Sequence, residues 1–155
     1  MLENCRNSRE RWGGVSELID RWLLSRQNLL IIYSDLAAIS EFHDDDPDHG
    51  ERVQEFSEQL VDYVSAGHFE VYEQLLREGR EFDEKEGLKE ARILLEQIGD
   101  STEQALDFND KYLTPDDLSA LADDLSALGE ALVNRFEAED RIIAVLHEAH
   151  RGAAV

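Results

Sequence analysis

The sequence predicts an all-α protein: an antiparallel four-helix bundle with an extra short helix after a break near Ser65-Ala66-Gly67. Three observations lead there. Apolar residues recur at spacings of three and four along most of the chain, which lines one face of a helix. The 155 residues include 2 prolines and 9 glycines, and Leu, Glu, Ala and Arg outweigh the strand formers, so long stretches are free of breakers. Thr114-Pro115-Asp116-Asp117 has the form of a helix start, with Thr as cap, Pro in the first turn and acids behind it.

Each element follows in order. The first helix spans Ser8 to Ser40, with Val15, Leu18, Ile19, Trp22, Leu29, Leu30, Tyr33, Leu36 and Ala37 as its apolar face and Gly13-Gly14 as a kink or start point. Glu41 to Gly50 is an acidic loop in which Pro47 stops a helix. A second helix runs from Glu51 to Val64 on Val53, Phe56, Leu60 and Val64. After the break, a short helix from His68 to Arg77 carries Phe69, Tyr72, Leu75 and Leu76. Gly79 and Gly87 flank a charged connection. The next helix, Leu88 to Tyr112, uses Leu88, Ala91, Leu95, Ile98, Ala105 and Leu106; Gly99 inside it costs up to about 1 kcal/mol relative to alanine. The last helix runs from Thr114 to His150 on Leu118, Leu121, Leu125, Leu128, Leu132, Phe136, Ile143 and Leu146. His147, His150 and Arg151 stand at its end, where cations suit the helix dipole. One domain over residues 1–155 accounts for this length, with a frayed end at 151–155.

A formal charge of −21 argues against DNA, RNA or anionic membranes as direct partners, because phosphates are repelled, and it suits a basic protein. Single Cys5 supports neither a disulfide framework nor a thiolate metal cage, and near a frayed end it is a poor nucleophile. No apolar run reaches the roughly 18 residues of a membrane span, and the N-terminus lacks the pattern of a signal peptide. A cytoplasmic protein is expected.

Motifs for chemistry fail one by one. A di-iron bundle needs paired Glu-x-x-His, and no Glu lies three residues before any of the 5 histidines. Asp44-x-Asp46-x-Asp48 starts like a calcium loop, but Gly50 is one place late and Pro47 sits inside. His147 and His150 suit either a metal or a helix end, and no third ligand is evident. No nucleophile elbow, phosphate loop or dinucleotide fingerprint is present. The expectation is no enzyme, no cofactor and no metal.

The informative anomalies are polar residues on apolar faces. The line Leu128, Leu132, Arg135, Glu139, Ile142, Leu146 steps by four and three, so Arg135 and Glu139 fall at core positions. Arg26 interrupts the first helix's stripe, and Thr102 and Asn109 continue the line of Leu95 and Ile98. Buried charges persist only when paired and hydrogen-bonded. An internal polar seam of Arg26, Asn109, Arg135, Glu139 and Asp140 is expected, with Asp62 a further acceptor. It is either a structural ion-pair network or the wall of a groove that a partner enters. Tyr63, His68, Phe69 and Tyr72 cluster around the break, either as core filler or as an interface.

These residues carry a resemblance. Leu60-Val61-Asp62-Tyr63-Val64-Ser65-Ala66-Gly67-His68-Phe69-Glu70-Val71-Tyr72-Glu73 resembles the central signature of the Rsd/AlgQ family, bacterial regulators of the primary sigma factor. Leu18-Ile19-Asp20-Arg21-Trp22-Leu23 resembles its first-helix motif. Leu128-Gly129-Glu130-Ala131-Leu132, Arg135-Phe136 and Glu139-Asp140 resemble its last-helix motif. The chain start, Cys5-Arg6-Asn7 and Glu10-Arg11-Trp12-Gly13-Gly14, is more similar to the AlgQ side. The resemblance implies a helical bundle without enzymatic activity. It implies binding of the sigma factor, chiefly the C-terminal region that reads the promoter −35 element, which keeps sigma from core RNA polymerase and from DNA. AlgQ-like members are also linked to alginate regulation.

The residues singled out for partner contact are Leu18, Trp22, Arg26, Asp62, Tyr63, His68, Phe69, Tyr72 and Glu73. A monomer is expected in the complex, with weak self-association when free. The competing expectations are a hemerythrin-like metal-binding bundle and an acidic adaptor for another basic protein, such as a histidine-phosphocarrier or a nucleotide-signalling enzyme.

Overall fold

The computed structural model describes residues 8–150, with side chains from residue 12 onward. Cys5 and the end at 151–155 lie outside the described residues. Five α-helices are present: α1 (Ser8–Ala37), α2 (Pro47–Ala66), α3 (Tyr72–Glu81), α4 (Lys85–Lys111) and α5 (Leu121–Leu146). A π-helical segment, Gly67–Val71, joins α2 to α3, and a 3₁₀ turn, Glu148–His150, follows α5. No strand occurs among the described residues. The long helices α1, α2, α4 and α5 form an antiparallel bundle. Phe56 joins Tyr33 of α1 to Phe108 of α4, and Arg141 of α5 reaches Glu90 of α4. The side between α1 and α5 is tied by long side chains: Trp12 to the His147 carbonyl, Arg26 to Asp140 and Glu139, and Tyr33 to the Leu125 carbonyl.

The apolar periodicity fixes the core. Val53, Phe56, Leu60 and Val64 are buried, as are Leu118, Leu121, Leu125, Leu128, Leu132, Phe136, Ile143 and Leu146. Leu30 and Leu106, expected on apolar faces, are exposed instead, and Phe108 takes the inward place on α4.

Several local expectations are corrected. Pro47 does not stop a helix; it opens α2, where its missing N–H is no loss, while the Asp46 side chain accepts from the Asp48 N–H. Gly13-Gly14 lies inside α1, which winds through it. Ser65-Ala66-Gly67 does not break the chain. Gly67 is right-handed helical (φ −58°, ψ −53°), and the Tyr72 N–H donates to the Gly67 carbonyl, a π-type bond that keeps the winding continuous. Thr114-Pro115 does not open the last helix, which starts at Leu121. The intervening chain is held extended: the Leu118 N–H donates to Asp44 Oδ1 at 2.7 Å, and Leu118 is buried. Asp117 collects the N–H and hydroxyl of Ser119, so this acid caps a turn before the helix. Gly79 and Gly87 do not punctuate the chain either. A Cβ on Gly79 would lie 2.7 Å from Leu146 Cδ2, and one on Gly87 3.0 Å from the Val145 carbonyl oxygen. Both glycines let α5 pack closely against the α3–α4 corner. That corner turns on Asp83, at φ 53°.

Candidate functional site

The centre of the bundle holds one carboxylate with four donors. Glu139 projects inward from α5 and is 1% exposed. Its Oε1 accepts from the Tyr63 hydroxyl at 2.5 Å and from Arg26 Nη2 at 3.2 Å. Its Oε2 accepts from the Tyr72 hydroxyl and from Arg135 Nε at 3.1 Å. Arg135 is in turn fully engaged. Its Nη2 donates to the Tyr72 oxygen at 2.8 Å, and its Nη1 donates to Ser101 Oγ at 3.1 Å and Thr102 Oγ1 at 2.7 Å. Both hydroxyls donate onward to the Ile98 carbonyl. Arg26 completes the seam through Tyr63 Oη at 3.0 Å and Asp140 Oδ1 at 2.6 Å, and its guanidinium lies 4.7 Å from the Phe136 ring centre. Such closure is what a buried ion pair requires, because each unpaired polar atom here would cost its full desolvation.

Burial, followed by the charge of Glu139, pushes the Tyr63 and Tyr72 phenols far above their ordinary range. Both therefore stay protonated and serve as donors. Desolvation pulls the Arg26 guanidinium down, but Tyr63, Asp140 and Glu139 outweigh it and hold the pKa above its ordinary value. The seam carries no group poised to titrate near neutrality and no nucleophile. Its chemistry is cohesion: it joins α1, α2, α3, α4 and α5 at one level.

Several expected site residues belong to this scaffold. Trp22, Tyr63 and Tyr72 are buried: Trp22 stacks on Tyr63 at 5.0 Å and donates from Nε1 to its carbonyl at 3.3 Å. A partner cannot reach these rings without opening the bundle, which corrects their placement on a contact surface. Asp62 is exposed and shares no hydrogen bond or ion pair with Arg26 or Arg135, so it is not a seam acceptor. Asn109, two turns beyond Thr102, is half-buried and makes no seam bond. Leu18 is half-buried against the core.

What remains outside is a compact exposed stretch. Asp62, His68, Glu70 and Glu73 face solvent around the π-helical segment. Phe69 stands 76% exposed, the largest value among the exposed large hydrophobics, with the His68 ring packed edge-on at 4.9 Å. Glu73 has only a distant ion pair with Arg80, at 3.9 Å. The π turn produces this arrangement. Tyr63, Gly67, Val71 and Tyr72 stay inward, and the extra residue per turn carries Phe69 outward.

Sequence reasoning missed a second polar cluster. His147 is not a helix-end cation in water; it is buried with Nδ1 2.8 Å from Glu78 Oε2, under the stacked Trp12 ring. His150 is buried too, stacked on Phe82 at 4.4 Å. Glu78 sits in the charged run Arg77-Glu78-Gly79-Arg80-Glu81, where nothing local marks one acid as internal. No group of three or more metal-ligating side chains occurs among the described residues. No helix among them is long and apolar enough to cross a membrane.

The family model described as "Regulator of RNA polymerase sigma(70) subunit, Rsd/AlgQ" matches residues 1–147. The chain belongs to the Rsd/AlgQ family. A protein named "Regulator of sigma D" from Salmonella arizonae is 35% identical over 161 residues, covering 100% of this chain and 98% of that protein. Proteins of the same name from Salmonella newport and Salmonella typhi match with the same identity and coverage. The Rsd/AlgQ family comprises regulators of the sigma subunit and not enzymes. The likeness of the chain start to the AlgQ side rests in part on Cys5-Arg6-Asn7, outside the described residues.

Proposed function

We propose that this Rsd/AlgQ protein is a cytoplasmic anti-sigma regulator. It holds the C-terminal, −35-reading region of the primary sigma factor and thereby keeps sigma from core RNA polymerase and promoter DNA. Asp62, His68, Phe69 and Glu73 form the contact surface. The observation that carries this is Phe69, a large aromatic side chain held 76% exposed among carboxylates. Exposed aromatics ringed by charge are typical interface anchors. A region that reads DNA through a helix-turn-helix is basic where it meets phosphate. Phe69 would supply apolar contact to such a helix, and Asp62 and Glu73 would receive its Lys or Arg side chains. The buried seam keeps this stretch rigid, which lowers the ordering cost of binding.

The test is to mix the protein with the isolated C-terminal region of the primary sigma factor and look for a complex by gel filtration. Asp62→Ala and Phe69→Ala should each weaken the complex by about 1–3 kcal/mol with an unchanged melting temperature. Full binding by both variants would move the contact surface elsewhere.

A further inference from the structure

Beside the exposed stretch, a groove of about 380 Å³ runs between the start of α3 and the middle of α4. Its floor is apolar, formed by Leu76, Leu95 and Ile98, and His68 and Glu73 line its rim. Gly99 lies in this groove, inside α4. Within a helix, glycine is the least favourable residue after proline, so an interior glycine normally answers a local need. Here the fold has none. Gly99 does not adopt a positive φ, and a Cβ built on it would meet nothing within 4 Å. Gly67, Gly79 and Gly87 differ, since each has a neighbour at 3.0 Å or less from a built Cβ. Gly13 shares the open surroundings but lies near the start of α1, outside the groove. The space over Gly99 is thus empty in the folded chain and is not required by it.

The charge around the notch is of one sign. Glu96 and Glu103, three residues before and four after Gly99, share its helix face and are exposed. Glu73 faces them across the groove, and its long pair with half-exposed Arg80 is too weak to withhold it from a partner.

We propose that Gly99 is a notch that receives an aliphatic side chain from a basic helix of the sigma C-terminal region, with Glu73 and the α4 carboxylates engaging the Lys or Arg residues beside it. This rests on the sigma-binding reading above and extends the contact surface from the Phe69 stretch onto α4. An apolar floor between acidic walls fits an amphipathic basic helix, and it rejects an acidic or wholly polar one.

The experiment uses the full chain and the purified sigma C-terminal region, with affinity by calorimetry and stability by thermal melting. Gly99→Ala and Gly99→Leu should both melt at or above the wild-type temperature, because each improves helix propensity and neither meets a clash. Affinity should nevertheless fall with side-chain size, by about threefold for alanine and about tenfold or more for leucine. Glu73→Gln should weaken binding by about threefold or more at low salt, and less as salt rises. Leucine at 99 binding within about twofold of wild type overturns the notch and leaves the sigma reading standing. Weaker binding that comes with a lowered melting temperature also overturns it, since Gly99 would then serve the fold. No binding by the wild-type chain overturns the sigma reading, and the proposed occupant with it.

Discussion

His147 Nδ1 lies 2.8 Å from Glu78 Oε2, and neither side chain reaches solvent. The pair fastens the end of α5 to α3, and Trp12 of α1 closes over it, stacked at 4.4 Å and donating to the His147 carbonyl. Burial holds the Glu78 carboxyl above its ordinary range, although the hydrogen bond and charge of His147 pull the other way.

A pH dependence follows. An acid whose pKa is higher in the folded chain than in the unfolded one contributes its stability fully below the ordinary carboxylate range. That contribution is lost as pH rises through the raised value. Subtracting the stability of Glu78→Gln from that of the wild type should therefore give a difference that declines from about pH 4.5 upward and then levels off. Urea denaturation of both proteins across that range measures it, and a flat difference would show that Glu78 titrates as it does when unfolded.

The four donors on Glu139 predict unequal losses within the seam. Glu139→Leu leaves Arg26, Arg135 and two phenols without their shared acceptor and should cost about 3–5 kcal/mol. Arg135→Met leaves Glu139 still bonded to Arg26 and both tyrosines, so the loss should be about 2–3 kcal/mol. The double variant should lose less than the sum of the two, because the pair then no longer strands either partner. Strict additivity in a double-mutant cycle would argue against direct coupling.

Close approach makes one glycine sensitive and another not. A Cβ on Gly67 would lie 3.0 Å from Trp22 Cζ2 and 3.1 Å from Tyr72 Oη, both in locked aromatic contacts. Gly67→Ala should destabilise by about 1–2 kcal/mol despite its gain in helix propensity. Gly13→Ala meets nothing within 4 Å and should stabilise by up to about 1 kcal/mol. Melting both variants beside the wild type separates packing from propensity.

Electrostatic attraction by a chain of charge −21 should show in kinetics. Association with the sigma C-terminal region should slow by about tenfold between roughly 10 and 150 mM salt, while dissociation changes little. Stopped-flow mixing tests this, and a rate indifferent to salt would remove steering from the account.

The helices were legible because burial imposes a 3.6-residue period that Leu and Ala cannot hide, as in Leu121, Leu125, Leu128 and Leu132 of α5. The same period exposed Arg135 and Glu139 as misfits at core positions. What escaped depends on partners distant in sequence. Pro47 suits a helix start as well as a stop, and the Asp46 cap that decides it is a matter of side-chain rotamer. Thr114-Pro115 has the local chemistry of a start, yet Asp44, some 70 residues away, captures the Leu118 N–H and delays α5. Tyr63 and Tyr72 look like rings for an exposed interface until Glu139 is seen to need their hydroxyls. Phe69 falls on an apolar spacing and points outward only because the winding changes beneath it.

That change of winding makes chain length, as well as residue identity, part of the specification. The π-helical segment holds one residue more than α-helical winding would over the same rise. Deleting a single residue between Gly67 and Val71 would let the segment relax to ordinary winding and would swing everything after it by about 100° about the helix axis. Tyr72 would leave Glu139, Glu78 would leave His147, and Phe69 would turn toward the core. Most one-residue deletions in a surface helix are repaired within a turn or two, but this one would unthread both internal polar clusters at once. The signature around Gly67 is thus a counted spacer that keeps two separate locks in phase.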